Sequence, residues 1–186
     1  FYGVHPDAVS QGVPLATTGG DSGLCYKVND NAGNKLRIAG VIDGLSNTLH
    51  LTESAGRPDW YLNGQRQTVP SGRFLNGGGW CRPASELNLF RGTDTTGTQF
   101  TGNRAMNVTN GILFNISDYG GSGLGAGYGG APNYGTDGTG QVYSFHTGGA
   151  NCLAGDGSVR FVNQSVSVVT FAAYVTRDKG ETFNLD

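Results

Sequence analysis

The hydrophobic positions of this chain fall into short, separated runs. The clearest helical period is near the end, where Val168, Phe171, Ala172 and Val175 repeat at i, i+3, i+4 and i+7. Ser167 stands where an N-cap is needed, and Gly180 is placed to close the end. β-branched residues weaken the propensity, so packing has to hold this helix. A strand is the alternative, since Val166, Val168 and Thr170 also alternate. Upstream the period shortens to two. Between Thr48 and Glu53, Thr48, His50 and Thr52 alternate with Leu49, Leu51 and Glu53, which predicts a strand. Leu24 to Val28 and Leu36 to Ile42 are further strand candidates, and Ile112-Leu113-Phe114 suits a short buried strand.

Asn151 to Phe161 carries a hairpin signal. Asp156-Gly157 lies between two alternating segments, and a two-residue type I′ loop needs positive φ at both positions. That pairing sets Cys152 against Phe161 and Ala154 against Val159 on one face, expected to be the inner one. It leaves Leu153 and Arg160 on the other face. The C-terminal helix is expected to lay its apolar stripe on the sheet containing this hairpin.

The rest is irregular. Residues 1–22 are polar and Gly-rich. Asn29 to Asn34 form a turn cluster, Asp43-Gly44 marks a tight turn, and 56–72 is mostly loop. From Asp118 to Gly140 only Leu124 is a large aliphatic residue, so this stretch is expected to be a long surface loop, ordered by tyrosine packing or by a neighbour. A subunit contact that buries Tyr119, Tyr128 and Tyr134 is the expectation. No boundary or solenoid repeat divides the sequence. The expected fold is α+β over a single domain, residues 1–186: mainly antiparallel sheet, long Gly-rich loops and one C-terminal helix.

Five segments in order resemble one bacterial family. His146, nine residues, then Asp156-Gly157 is the H-X9-DG spacing. Val41-Ile42-Asp43-Gly44-Leu45-Ser46-Asn47-Thr48-Leu49 with Glu53 beyond it, Gly79-Trp80-Cys81-Arg82-Pro83, Val142-Tyr143-Ser144-Phe145-His146 and Thr176-Arg177-Asp178-Lys179-Gly180-Glu181 resemble its other motifs. The chain is thus similar to the H-X9-DG family from about Leu36 to Glu181. Members of that family usually begin with a prepilin-type signal and a long apolar helix. This chain opens Phe1-Tyr2-Gly3-Val4-His5-Pro6, and no apolar run approaches the ~20 residues of a membrane span. The resemblance implies a chain that starts partway through such a domain. Cys81 and Cys152 depart from the family pattern.

Composition changes the picture in two ways. Charged residues are 14% of the chain against a usual ~25%, and the net charge of −2 removes the electrostatic case for nucleic acid. Abundant Gly, Asn, Thr and Ser with little charge fit an exported, β-rich protein, extracellular or at the cell surface. Three cysteines leave one over if two pair. One reading makes all three small buried hydrophobes. The other joins Cys81 to Cys152.

The candidate chemistry is sparse. His146 with Asp156 has an acid–base or metal reading. The favoured reading is structural, with the imidazole bonded to loop backbone beside Gly148-Gly149 and Asp156 explained by its turn. Asp43, Gly44, Ser46 and Asn47 are placed with His146, Asp156 and Gly157 as motif residues of structural use. A calcium site is the alternative for Asp43, Ser46, Asn47 and Glu53, or for Asn29, Asp30, Asn31 and Asn34, although neither cluster has a full calcium-loop pattern. No zinc pattern, C-x-x-C or G-x-S-x-G motif is present, so no enzyme and no cofactor is expected. The Asn-x-Ser/Thr triplets at Asn107, Asn115 and Asn163 are weak glycosylation signals. The resemblance implies a non-enzymatic subunit of a pilin-like filament or pseudopilin-type secretion assembly, self-associating as a homo-oligomer. The alternative is an extracellular glycan-binding module presenting Trp60, Tyr61, Trp80 and loop tyrosines.

Overall fold

The computed structural model describes residues 3–4, 23–24, 37–71, 73–75, 89–90, 92–97, 103–111, 113–115 and 141–180. Its strands are β1 (Gly3–Val4), β2 (Leu49–Thr52), β3 (Trp60–Leu62), β4 (Gln65–Gln67), β5 (Arg73–Leu75), β6 (Leu89–Phe90), β7 (Leu113–Asn115), β8 (Gly149–Ala154) and β9 (Val159–Asn163). Among the described residues one α-helix, Val168–Val175, follows β9. Three two-stranded units pair β1 with β6, β3 with β4 and β5 with β7. The fourth sheet has three antiparallel strands in the order β2-β8-β9. The fold is α+β and mainly antiparallel β, with the helix near the C-terminus.

The helix starts as its sequence predicts. Ser167 is extended, and its side chain accepts a hydrogen bond from Thr170 N. It ends earlier than expected. Val175 is the last helical residue, and Thr176 caps it by donating N–H to Ala172 O and Oγ1–H to Ala173 O. Gly180 has positive φ but lies beyond this cap. Burial is wider than a stripe, because Phe171 through Val175 are all buried. Such a helix is enclosed on several sides rather than laid on one sheet face. Phe171 stacks at a tilt on Phe90, with ring centroids 4.8 Å apart. Leu49, Ala150, Cys152 and Val162 supply the sheet side of this core.

The β8–β9 hairpin forms, but in a different register from the expected one. Cys152 pairs with Arg160 and Leu153 with Val159. Gly157 N donates to Ala154 O and Ala154 N donates to Ser158 O, which closes a three-residue loop. Gly157 alone in that loop has positive φ, at 88°. This is a turn followed by a glycine bulge, not a type I′ loop. The extra residue shifts pairing by one and exchanges the faces of β9. Ala150, Cys152, Ala154 and Val162 face the core, while Val159 and Phe161 are 64% and 53% exposed.

β2 shows a related correction. A bulge at His50 lies between the pairs Leu49–Ala154 and Leu51–Leu153. Leu49 is therefore buried while Leu51 is exposed, although simple alternation sets them on one face. The type I′ loop sits elsewhere. Asn63 and Gly64, with φ of 47° and 80°, join β3 to β4 as a two-residue turn within the stretch expected to be loop. Ile38–Gly40 is a 3-10 turn rather than part of a strand. β7 agrees with the strand expected around Leu113, which is half-buried. The strand expected at 25–28 and the loop 118–140 lie outside the described residues.

Candidate functional site

Glu53 and His146 mark the centre of the motif region. Glu53 follows β2, and its backbone accepts from Tyr143 N, while Ala55 N donates to Tyr143 O. This short parallel contact carries the Val142–His146 approach past the end of β2. Asn107, held at φ 61°, accepts from Ser144 N through Oδ1 and donates through Nδ2 to Gly149 O. Ser144 Oγ also donates to Gly149 O, and it accepts from His146 N at 3.2 Å. The turn into β8 is thereby fixed, and the imidazole projects over the outer face of the sheet.

There His146 Nε2 lies 3.1 Å from Glu53 Oε1. The ring meets a carboxylate, not the loop backbone that the sequence suggested. Asn151 completes the group, donating N–H to Glu53 Oε2 at 2.8 Å and Nδ2–H to Oε1 at 3.2 Å. Burial pushes the Glu53 carboxyl up, but the Asn151 hydrogen bonds and the nearby imidazole outweigh it and hold the group below the ordinary carboxylate range. Phe161 stands edge-on to the imidazole at 6.4 Å. On the other side Phe145, 60% exposed, contacts Tyr61 at 5.0 Å and Tyr143 at 5.9 Å.

Asp156 is not a partner of His146. Its Oδ1 accepts from Ser158 N and Ser158 Oγ, and those bonds lower its pKa. This is the turn role expected of it. The backbone of the same turn is tied to the Asp43 segment, because Gly155 N donates to Thr48 O and Asp156 N donates to Leu45 O.

Asp43 clasps the residues after the helix. Its carboxylate accepts from Lys179 N at 3.1 Å and Gly180 N at 2.6 Å, and its own N–H donates to Arg177 O. Gly44 takes φ 90°, Asn47 Nδ2 donates to Asp43 O, and Thr48 Oγ1 donates to Gly44 O. Ser46 is half-buried within this turn. The Asp43 turn thus links the hairpin tip to the segment that follows the helix. Asp43 and Glu53, grouped in the calcium reading, serve different partners. Among the described residues no three His, Cys, Asp or Glu side chains gather as a metal site would require. The Asn29–Asn34 cluster lies outside those residues.

Cys152 is a buried free thiol. Burial, helped by the Glu53 charge, pushes its pKa up to about 12. Cys81, the expected partner, lies outside the described residues, as do Cys25 and Trp80. Trp60 and Tyr61 are half-buried. Two residues that sequence reasoning undervalued are Asn107, noted only as a glycosylation triplet, and Asn110. Asn110 is fully buried, and it accepts from Tyr61 N and donates to Ala55 O and Asp59 O. Asn107 lies between Met106 and Val108, where a buried amide has to be satisfied, whereas Asn110, between Thr109 and Gly111, carries no comparable signal.

Fold and site together define an α+β protein whose motif side chains bind its own loops. The chain belongs to the family described as "Protein of unknown function (DUF1559)", whose family model matches residues 5–168. No curated protein and no solved structure matches it. No helix of the described residues is long and apolar enough to cross a membrane.

Proposed function

We propose that this protein is an exported structural subunit, the globular part of a pilin-like filament or pseudopilin-type secretion assembly. The observation that carries the reading is how the motif side chains are used. Asp43, Asn47, Glu53 and Asp156 direct their oxygens and amides at N–H, C=O and hydroxyl groups of the same chain. Motifs spent in this way maintain a shape, and a shape maintained around an open sheet face suits assembly. The ordered resemblance to the H-X9-DG family supports the same reading. Electron microscopy of the purified native protein tests it. Regular polymers or membrane-associated assemblies are the expected result, and persistently dispersed monomers would count against it.

A glycan-binding reading is favoured by one observation. Phe145 presents an exposed ring braced by Tyr61 and Tyr143, beside the polar Glu53–Asn151–His146 group. An aromatic face with flanking hydrogen-bonding groups suits a sugar ring. Glycan-array binding that disappears in Phe145→Ala would support this reading over the first.

A further inference from the structure

The three-stranded sheet has two edges, and they differ. β2 is bulged at His50, and the chain just beyond it is crossed by Tyr143. Both features blunt an edge against further pairing. β9 has neither. Its hydrogen bonds to β8 run through the alternate positions, in step with Ala154 N to Ser158 O at one end and Gln164 N to Gly148 O at the other. In that alternation Arg160 and Val162 turn their main-chain groups toward β8, while Val159 and Phe161 turn theirs outward. Among the described residues no hydrogen bond reaches these outward groups. The side chains of Val159 and Phe161 are also the exposed ones, and Leu51, 54% exposed, lies across the same face. Free main-chain donors and acceptors beside apolar side chains fit an extended strand rather than a small ligand.

We infer that β9 pairs antiparallel with β9 of a second copy, across a two-fold axis at Phe161. This rests on the assembly reading above and names its contact. Charge selects the register. An axis at Arg160 sets that guanidinium against its symmetry mate, and like charges directly opposite are destabilising. An axis at Phe161 sets Arg160 opposite the second copy's Val162, brings the two Phe161 rings together and sets Val159 opposite Asn163, whose carbonyl already accepts from Val166 N. Arg160 is the only charged residue of β9, so a self-pairing needs no complementary partner charge. A five-residue edge contact falls below the ~1,000 Å² expected of an independent stable interface, so the pair is weak alone and acts beside other contacts in an assembly.

Cysteine cross-linking tests the register. Phe161→Cys, oxidised with copper phenanthroline at high protein concentration and mapped by mass spectrometry, should form a 161–161 bridge between copies at least tenfold faster than Val159→Cys forms 159–159. The double variant Val159→Cys/Asn163→Cys should give 159–163 bridges between copies. Retained circular dichroism and melting temperature establish that each variant folds. Phe161→Lys, which adds like charge at the axis, should remove the rise of the weight-average sedimentation coefficient with concentration that a weak pair gives the wild type. Equal rates at 159 and 161, or no bridge at either, overturn the β9 pairing. Microscopy of the wild type separates the two ideas. Polymers without a 161–161 bridge reject this contact and leave the assembly reading standing. The bridge without polymers keeps the contact and rejects the filament.

Discussion

His146 Nε2 and Glu53 Oε1 stand 3.1 Å apart, although 93 residues separate them in the chain. The contact joins the end of β2 to the turn that enters β8. Because Asn151 holds both carboxylate oxygens from the middle strand, the imidazole meets an acceptor whose position is already set. The side chains of His146 and Glu53 are 55% and 31% exposed, so the ion pair by itself contributes little. The larger contribution is satisfaction of the Asn151 N–H. Glu53→Ala should therefore cost about 1–2 kcal/mol in urea denaturation. His146→Gln should cost less than about 1 kcal/mol, since an amide can still donate to the carboxylate. Equal losses in the two variants would assign the stabilisation to the ring.

The same carboxyl gives a pH signature. Its folded pKa lies below the ordinary glutamate value, so its contribution is present above that value and is lost as pH falls through the folded pKa. Wild-type stability should drop below about pH 4.5 more steeply than that of Glu53→Gln. Parallel acid titration curves for the two proteins would remove Glu53 as a source of acid sensitivity.

Asp43 should act as a local clasp. Asp43→Ala frees Lys179 N and Gly180 N, and Asp43→Asn keeps a weaker acceptor. We expect faster amide exchange at 179 and 180, and earlier proteolysis after the helix, in the Ala variant than in the Asn variant. Unchanged exchange at these two amides would show that other contacts hold the segment.

Two glycines of one hairpin should respond differently. A Cβ on Gly149 would lie 2.1 Å from Val162 O, a backbone atom that cannot move without parting the strands. A Cβ on Gly157 meets nothing within 4 Å, but φ is 88°. Gly157→Ala should cost about 1–2 kcal/mol of conformational strain, recovered in part by Gly157→Asn. Gly149→Ala should exceed it, and Asn should give no rescue there. Melting curves of the four variants, Ala and Asn at each position, decide this.

Cys152 should be chemically silent. With its pKa raised to about 12 and its side chain buried, it should resist iodoacetamide at pH 8 in the native state and react fully in urea. Rapid native labelling, mapped to Cys152 by mass spectrometry, would contradict the packed thiol.

Much of this was written locally. The helix from Val168, its Ser167 cap, the strand at Leu49 and the existence of a hairpin around Asp156 depend on residues within a few positions of one another. Period and capping chemistry suffice for such features. The Asn63-Gly64 turn was equally legible, because that pair adopts positive φ at both positions without help. What the sequence by itself could not determine was face and partner. One added residue in the loop closed by Gly157, and one at His50, reverse which side chains are buried, and only the packed sheet sets the count. The bonds from Asp43 to the main chain of Lys179 and Gly180 cross more than 130 residues of sequence. Glu53 finds His146 and Asn151 only once three strands have aligned. Propensity and periodicity act over single turns, whereas these choices minimise unsatisfied polar groups and exposed apolar area over the whole fold, so the tertiary structure alone decides them.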